Sequence, residues 1–236
     1  MQMAGRRIWL MGVFRPQWWR LAAVLALLPM LAGCNAVMLA GYLIGGRPSS
    51  DPDFHVRTKQ HLGGPNGKNV VLVYCYAPKE LKWDNEAVDF DIAKHVAHRL
   101  LQNKIKVIDP DQVYDWLDKN DKWRKTAEIG KHFKVDYVLH IDVKDYSLFE
   151  PNSANLYRGR SDIIVNVVKM NEQKTDGNLV YSYPLKSLYP TRSPVDTNQI
   201  SFAEFRKMYL SALSEEIGRL FYPRETGEEI PNGVML

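Results

Sequence analysis

Cysteine is scarce in this chain: its 236 residues hold two, Cys34 and Cys75. That excludes a disulfide-stapled scaffold and a multi-cysteine metal site. An excess of one charge is also missing where it would matter. The sequence carries 31 Lys+Arg against 27 Asp+Glu, a formal charge of +4. The surplus is Arg6, Arg7, Arg15 and Arg20, all in a leading segment of 33 residues that contains no acid. From Cys34 onward the two signs balance, so the electrostatic footprint of a nucleic-acid binder is absent and no such partner is expected. No Gly-x-Ser-x-Gly, P-loop, dinucleotide-binding glycine pattern or His-Glu-x-x-His motif occurs, and no internal repeat is visible. No cofactor is expected. Apolar residues at 45% and charged residues at 25% fit a globular domain and exclude a disordered or polytopic membrane chain.

What the sequence does have, first of all, is an address. The four arginines form a basic n-region. Residues 21–31 (LAAVLALLPML) form an apolar run of signal-peptide length, short for a membrane span. The run ends in Leu31-Ala32-Gly33-Cys34, which resembles a bacterial lipobox. Small residues at Ala32 and Gly33 let a peptidase seat the backbone in a narrow cleft, and the Cys34 sulfur would carry the diacylglycerol. Acyl chains bury methylenes at about 0.8 kcal/mol each, so two or more give stable anchoring. The alternative is an uncleaved signal anchor, because residues 36–46 (AVMLAGYLIGG) are apolar too. Pro29 and the Ala-Gly-Cys triplet favour cleavage. Arg6-Arg7 lacks the rest of a twin-arginine signal. Asn35, in place of an Asp after the cysteine, implies by resemblance to enterobacterial lipoproteins a periplasm-facing, outer-membrane position.

The expected organisation is a signal peptide over 1–33, a lipidated N-terminus and linker over 34–68, one domain over 69–222 and a tail over 223–236. Residues 47–53 (RPSSDPD) read as an exposed linker. A β-branched and aromatic run at 69–77 predicts a buried strand. Asp84 or Asn85 can cap a helix reaching about residue 103, with Val88, Ile92, Val96 and Leu100 on one face. A short strand at 105–108 precedes Asp109-Pro110, a cap followed by a first-turn proline. Further helices are expected at 125–133 and, capped by Ser201, at 202–221. Strands are expected from 135 to 143 or 149, over 156–170, and over 179–188 after an Asp176-Gly177 hairpin signal. The order is β-α-β-α-α-β-β-β-α. It predicts an α/β (α+β) sandwich: a mixed sheet with C-terminal antiparallel hairpins and helices packed on it.

Three phrases of this order carry a family likeness. Thr126-Ala127-Glu128-Ile129-Gly130 followed by Val135-Asp136-Tyr137-Val138-Leu139 is the first. The strand pair around Thr175-Asp176-Gly177 and the strand at 104–109 (KIKVID) are the others. Together they resemble the envelope-lipoprotein domain shared by the curli secretion protein CsgG, the penicillin-binding-protein activator LpoB and the amino-terminal domain of TolB. The resemblance covers roughly 69–221. It implies that fold, an envelope location and a non-enzymatic assembly or interaction role with an envelope protein partner. Its motif positions are structural: Gly130 would end a turn, and Ala127 and Ile129 would pack. The curli pore's membrane-spanning hairpins and the activator's long proline-rich arm have no counterpart here, so a channel is not expected.

Few side chains suggest chemistry. His140 and Asp142 share one strand face about 7 Å apart. With Asp145 they are the one arrangement that would suit an envelope hydrolase, the alternative to an interaction role. His95 and His98 have ligand-compatible spacing but fall on a solvated helix face, and His55 and His61 lie in the linker. Cys75, between Tyr74 and Tyr76, reads as a buried thiol. Asp84, Glu86, Asp89 and Asp91 complement a helix N-terminus. Arg158 and Arg160, in Tyr157-Arg158-Gly159-Arg160-Ser161-Asp162, could receive an acidic partner or phosphate, or could sit on a solvated hairpin tip. Among Trp83, Trp116 and Trp123, the last lies in the polar run DKNDKWRK and is the expected surface anchor.

Overall fold

In the computed structural model, residues 49–225 are described, apart from Asp84 and Asp121. The expected signal peptide, Cys34, Asn35, the linker up to residue 48, the tail from 226 and the Asp84 cap lie outside the described residues. The elements, in order, are β1 (Ser49–Ser50), α1 (Asp53–Thr58), β2 (Val70–Tyr76), α2 (Val88–Gln102), β3 (Lys106–Val107), α3 (Pro110–Lys119) and α4 (Thr126–Phe133). Then follow β4 (Tyr137–Phe149), β5 (Leu156–Met170), β6 (Gly177–Tyr189), β7 (Val195–Asp196), α5 (Phe202–Gly218) and β8 (Arg224–Glu225).

The sheet has six strands in the order β3-β2-β4-β5-β6, with β7 added to the far end of β5. β2 runs parallel to β3 and β4; the β4–β5 and β5–β6 pairs are antiparallel. This is the mixed α+β sheet that the order of elements predicts. The parallel β2–β4 step needs a crossover, and α2, β3, α3 and α4 supply it.

Alternation decides which residue faces which helix layer. Val71, Val73 and Cys75 of β2, with Leu139, Ile141, Ile163 and Val165, point into the main core beneath α1, α2 and α5. Leu72, Tyr74, Val138, Val168 and Met170 point the other way, onto Val113 of α3 and Ala127 and Ile129 of α4. Burying a Val or Leu side chain contributes about 1.5–3 kcal/mol, so both layers matter.

Local signals explain several ends. Asp109 caps α3 by accepting from the Asp111 N–H at 3.0 Å, with Pro110 in the first turn. Ser201 caps α5 through the Glu204 N–H at 3.2 Å. α2 instead begins at Val88 without a side-chain cap. Gly130 lies inside α4 rather than at its end. A Cβ there would meet the Met170 sulfur at 2.6 Å, so the glycine lets the helix approach the sheet.

Two departures from the sequence reading are physical. The domain starts before residue 69. α1 sits in what reads as linker, and Phe54 and Leu62 are wholly buried in the main core. Phe54 packs edge-on against Tyr181 at 5.4 Å and Tyr137 at 6.1 Å, and tilts onto Phe221 at 5.7 Å. Six residues cannot show a helical period, so the pattern is silent there. Asp176-Gly177 is not a two-residue turn either. Gly177 already pairs with Met170, and the loop is 171–176, ordered by Asn171 Oδ1 accepting from the Thr175 N–H at 2.8 Å.

Phe54→Ala is expected to cost about 3–5 kcal/mol, read as a lower midpoint in denaturant; an unchanged midpoint would return α1 to the linker. Val138→Asp, placing an unpaired charge in a wholly buried strand position, is expected to abolish the cooperative melt.

Candidate functional site

The half of the sheet not covered by α3 and α4 displays His140, Asp142, Asp145 and Arg160 among the side chains singled out from sequence. Rows of cross-strand partners run His140–Asn166–Ser182, Asp142–Ile164–Pro184 and Asp145–Asp162–Lys186. His140 and Asp142 do share this face, but each has another neighbour. The imidazole lies flat on Tyr74, ring centroids 4.5 Å apart and planes 4° from parallel. Burial lowers its pKa, with Asp142 acting the other way and Lys144 adding to the lowering. Asp142 pairs with Lys144 at 2.5 Å. A β-bulge between Val143 and Asp145 breaks the alternation and carries Asp145 on to face Asp162. The three groups that a hydrolase would need lie on one face in adjacent rows, with His140 engaged by Tyr74 and Asp142 by Lys144.

Other candidates are likewise placed in structural contacts. The Cys75 thiol is buried and its pKa pushed well up by that burial, and Tyr114 closes over its backbone, donating to the Cys75 carbonyl at 2.9 Å. His95 meets the Asp91 carbonyl at 2.8 Å, and His98 meets Gln102 at 3.0 Å. His55 and His61 stack on one another at 3.9 Å. Among the described residues no three His, Cys, Asp or Glu side chains converge as a metal site.

Arg158 is a structural clamp. Its guanidinium donates to the Pro190 carbonyl at 3.2 Å and the Thr191 carbonyl at 3.1 Å, and it pairs with Glu150 at 3.3 Å. It therefore holds the chain leaving β6. Arg160 lies between Ser147 and Leu188 on the open face, and its buried Nε has no hydrogen-bond partner. Trp123 is not an exposed anchor. It is half-buried, edge-on to Tyr74 at 5.6 Å. Trp116 rests on His132 and Phe133. The exposed indole is Trp83, at 87%, in the loop that follows Tyr76.

The site that sequence reasoning missed is a groove of about 480 Å³ beside β6. Residues 183–186 line it along the strand; Asp51, Val56, Glu216 and Leu220 contribute to the rest. Its pieces come from three distant parts of the chain, so no spacing pattern announces it. One signal was available. Ser161 and Ser187 occupy positions where alternation demands apolar residues, and both are buried. They pair across β5 and β6 beneath Tyr209. Burial pushes the Tyr209 phenol up, and the two serine hydroxyls beside it offset part of that. None of the three closes a hydrogen bond of regular geometry. Glu216 adjoins this seam through Ser187 and reaches the groove. Burial raises its carboxyl from 4.5 to about 7, with Ser187 and Arg219 partly opposing. A second groove of about 420 Å³ lies between His61, Asp136 and Met170. It is flanked by the Asp136–Lys174 ion pair, and Asp136 also accepts from the Val70 N–H at 2.8 Å.

The fold is thus an α+β sandwich with one covered and one half-covered sheet face. No protein-family model and no curated protein matches the sequence. Solved structures do. Lipoprotein GNA1162 of Neisseria meningitidis aligns at 14% identity over 63% of this chain and 97% of its own, with a TM-score of 0.41. A PelC dodecamer of Paraburkholderia phytofirmans aligns at 11% identity over 74% and 98%, TM-score 0.42. A minor lipoprotein of Acinetobacter baumannii aligns at 11% identity over 64% and 90%, TM-score 0.28. Among the described residues, no helix is long and apolar enough to cross a membrane.

The raised Glu216 carboxyl fixes a pH dependence. The folded state holds this proton more tightly than the unfolded chain, so the contribution is full below about 4.5 and is lost as pH rises through about 7. Allowing for partial exposure, the loss is about 1–2 kcal/mol. Glu216→Gln is expected to remove that part of the slope; identical stability–pH curves for variant and wild type would refute the assignment.

Proposed function

We propose that this chain is a lipid-anchored bacterial envelope protein, acylated at Cys34, facing the periplasm from the outer membrane. Its domain acts there as a non-enzymatic assembly or interaction module with an envelope protein partner. The lipobox at Leu31-Ala32-Gly33-Cys34, directly behind a basic and then apolar leader, carries the reading. The sequence likeness to the CsgG, LpoB and TolB N-terminal domains supplies the assembly role by analogy of fold. The placement of reactive side chains supports interaction over catalysis: His140 is held on Tyr74, Asp142 on Lys144, and Cys75 is enclosed.

The test is the intact mass of protein extracted from membranes, beside Cys34→Ser. The expected mass is that of residues 34–236 plus acyl chains, and the variant should leave the membrane fraction. A mass that still includes residues 1–33, with the variant retained in the pellet, would make the chain a signal-anchored protein instead.

A further inference from the structure

β6 is the last strand of the sheet, and among the described residues no strand pairs with its outer side. Pro184 tells which groups that side presents. It has no N–H, yet it holds its place opposite Ile164 in the β5–β6 register. Its nitrogen therefore faces outward. Antiparallel geometry then turns the backbone N–H and C=O of Ser182 and Lys186 the same way. An unpaired edge of this kind is a template for another extended chain, and here it runs along a groove. The four residues at 183–186 give about 13 Å of edge. Pro184 removes one donor, which restricts pairing to a guest that needs no donor at that step.

Charge selects the guest. Glu216 reaches the groove with its carboxyl largely buried and makes no ion pair among the described contacts, and a desolvated carboxyl without a counter-ion is unfavourable. Of the three cations lining the groove, Arg219 pairs with Glu215 at 2.9 Å and only partly offsets the burial of Glu216, Lys186 approaches Asp162 at 3.6 Å, and Arg224 is exposed to solvent. Asp51 adds a second acid, and Val56 and Leu220 give apolar wall for an aliphatic stem. We propose that the groove along the outer edge of β6 binds an extended segment of a partner protein, which adds as a strand and places a lysine or arginine at Glu216. This deepens the interaction reading and rests on it for biological sense. The recognition chemistry stands apart from the membrane address.

The test uses full-chain protein in detergent and three labelled nine-residue peptides of alternating Thr and Val. One has a central Lys, one a central Glu, and one the Lys with alternate backbone amides methylated. The lysine peptide should bind at least tenfold tighter than the glutamate peptide, and methylation along the pairing edge should abolish binding. Hydrogen exchange should slow at Ser182 and Lys186. Glu216→Gln, which removes a buried charge and should fold at least as well as wild type, is expected to reduce the lysine preference to within twofold. Asp51→Asn, at the rim, should weaken lysine binding by two- to threefold. Equal binding of the lysine and glutamate peptides, undiminished binding after methylation, or unchanged exchange at the two amides would each overturn the proposal. Peptide binding by a protein that retains residues 1–33 would overturn the lipoprotein address and leave the groove intact.

Discussion

A sheet with two apolar faces must be covered twice, and this chain covers one face fully and the other by half. Everything else follows from how β4 and β5 divide their side chains. The odd-numbered residues Leu139, Ile141, Ile163, Val165 and Val167 meet the α2–α5 layer, which is stitched at its rim by Arg206 to Asp91 and by Arg99 to Ser211. The even-numbered ones begin as core, at Val138 and Val168 under α4, and become half-exposed polar residues where the helix ends, at His140, Asp142 and Asn166. The same strand is thus interior at one end and surface at the other. The chemistry-bearing side chains occur where cover stops.

That division also governs which features could be read from sequence. β5 is legible because its alternation persists over residues 156–167, and α3 and α5 because their caps are local. α1 is not, because a six-residue helix anchored by Phe54 has too few positions to display a period. The three tryptophans show the same limit. Trp123 stands in a polar run, yet it covers Tyr74; Trp83 follows a strand, yet it is the exposed one. Flanking polarity reports solvent near the backbone, not the direction of a large side chain. The β6 groove was invisible for a different reason: it is formed by residues near 51–56, 183–186 and 216–224, which only the fold brings together.

The polar seam under α5 repeats the theme inside the core. Ser161, Ser187 and Tyr209 sit where hydrocarbon would pack with less desolvation cost, and their hydroxyls lack well-formed partners. Gly159, two residues before Ser161, exists for the same contact: a Cβ there would stand 2.3 Å from the Tyr209 ring. The α5–sheet interface is therefore close-fitting in shape and loosely matched in hydrogen bonding. Glu216 extends that mismatch outward to the groove wall.

The smallest sheet has a mechanical meaning. β1 and β8 pair antiparallel through two residue pairs, Ser49 with Glu225 and Ser50 with Arg224. A load applied at Ser49 against Glu225 would open these rungs one after the other, like a zip, at low force. Past Ser50 the pull arrives at Phe54, locked among Tyr137, Tyr181 and Phe221. The domain thus meets a tug at its first residue with a soft fuse backed by a hard stop. Slack is released before the core is asked to bear tension.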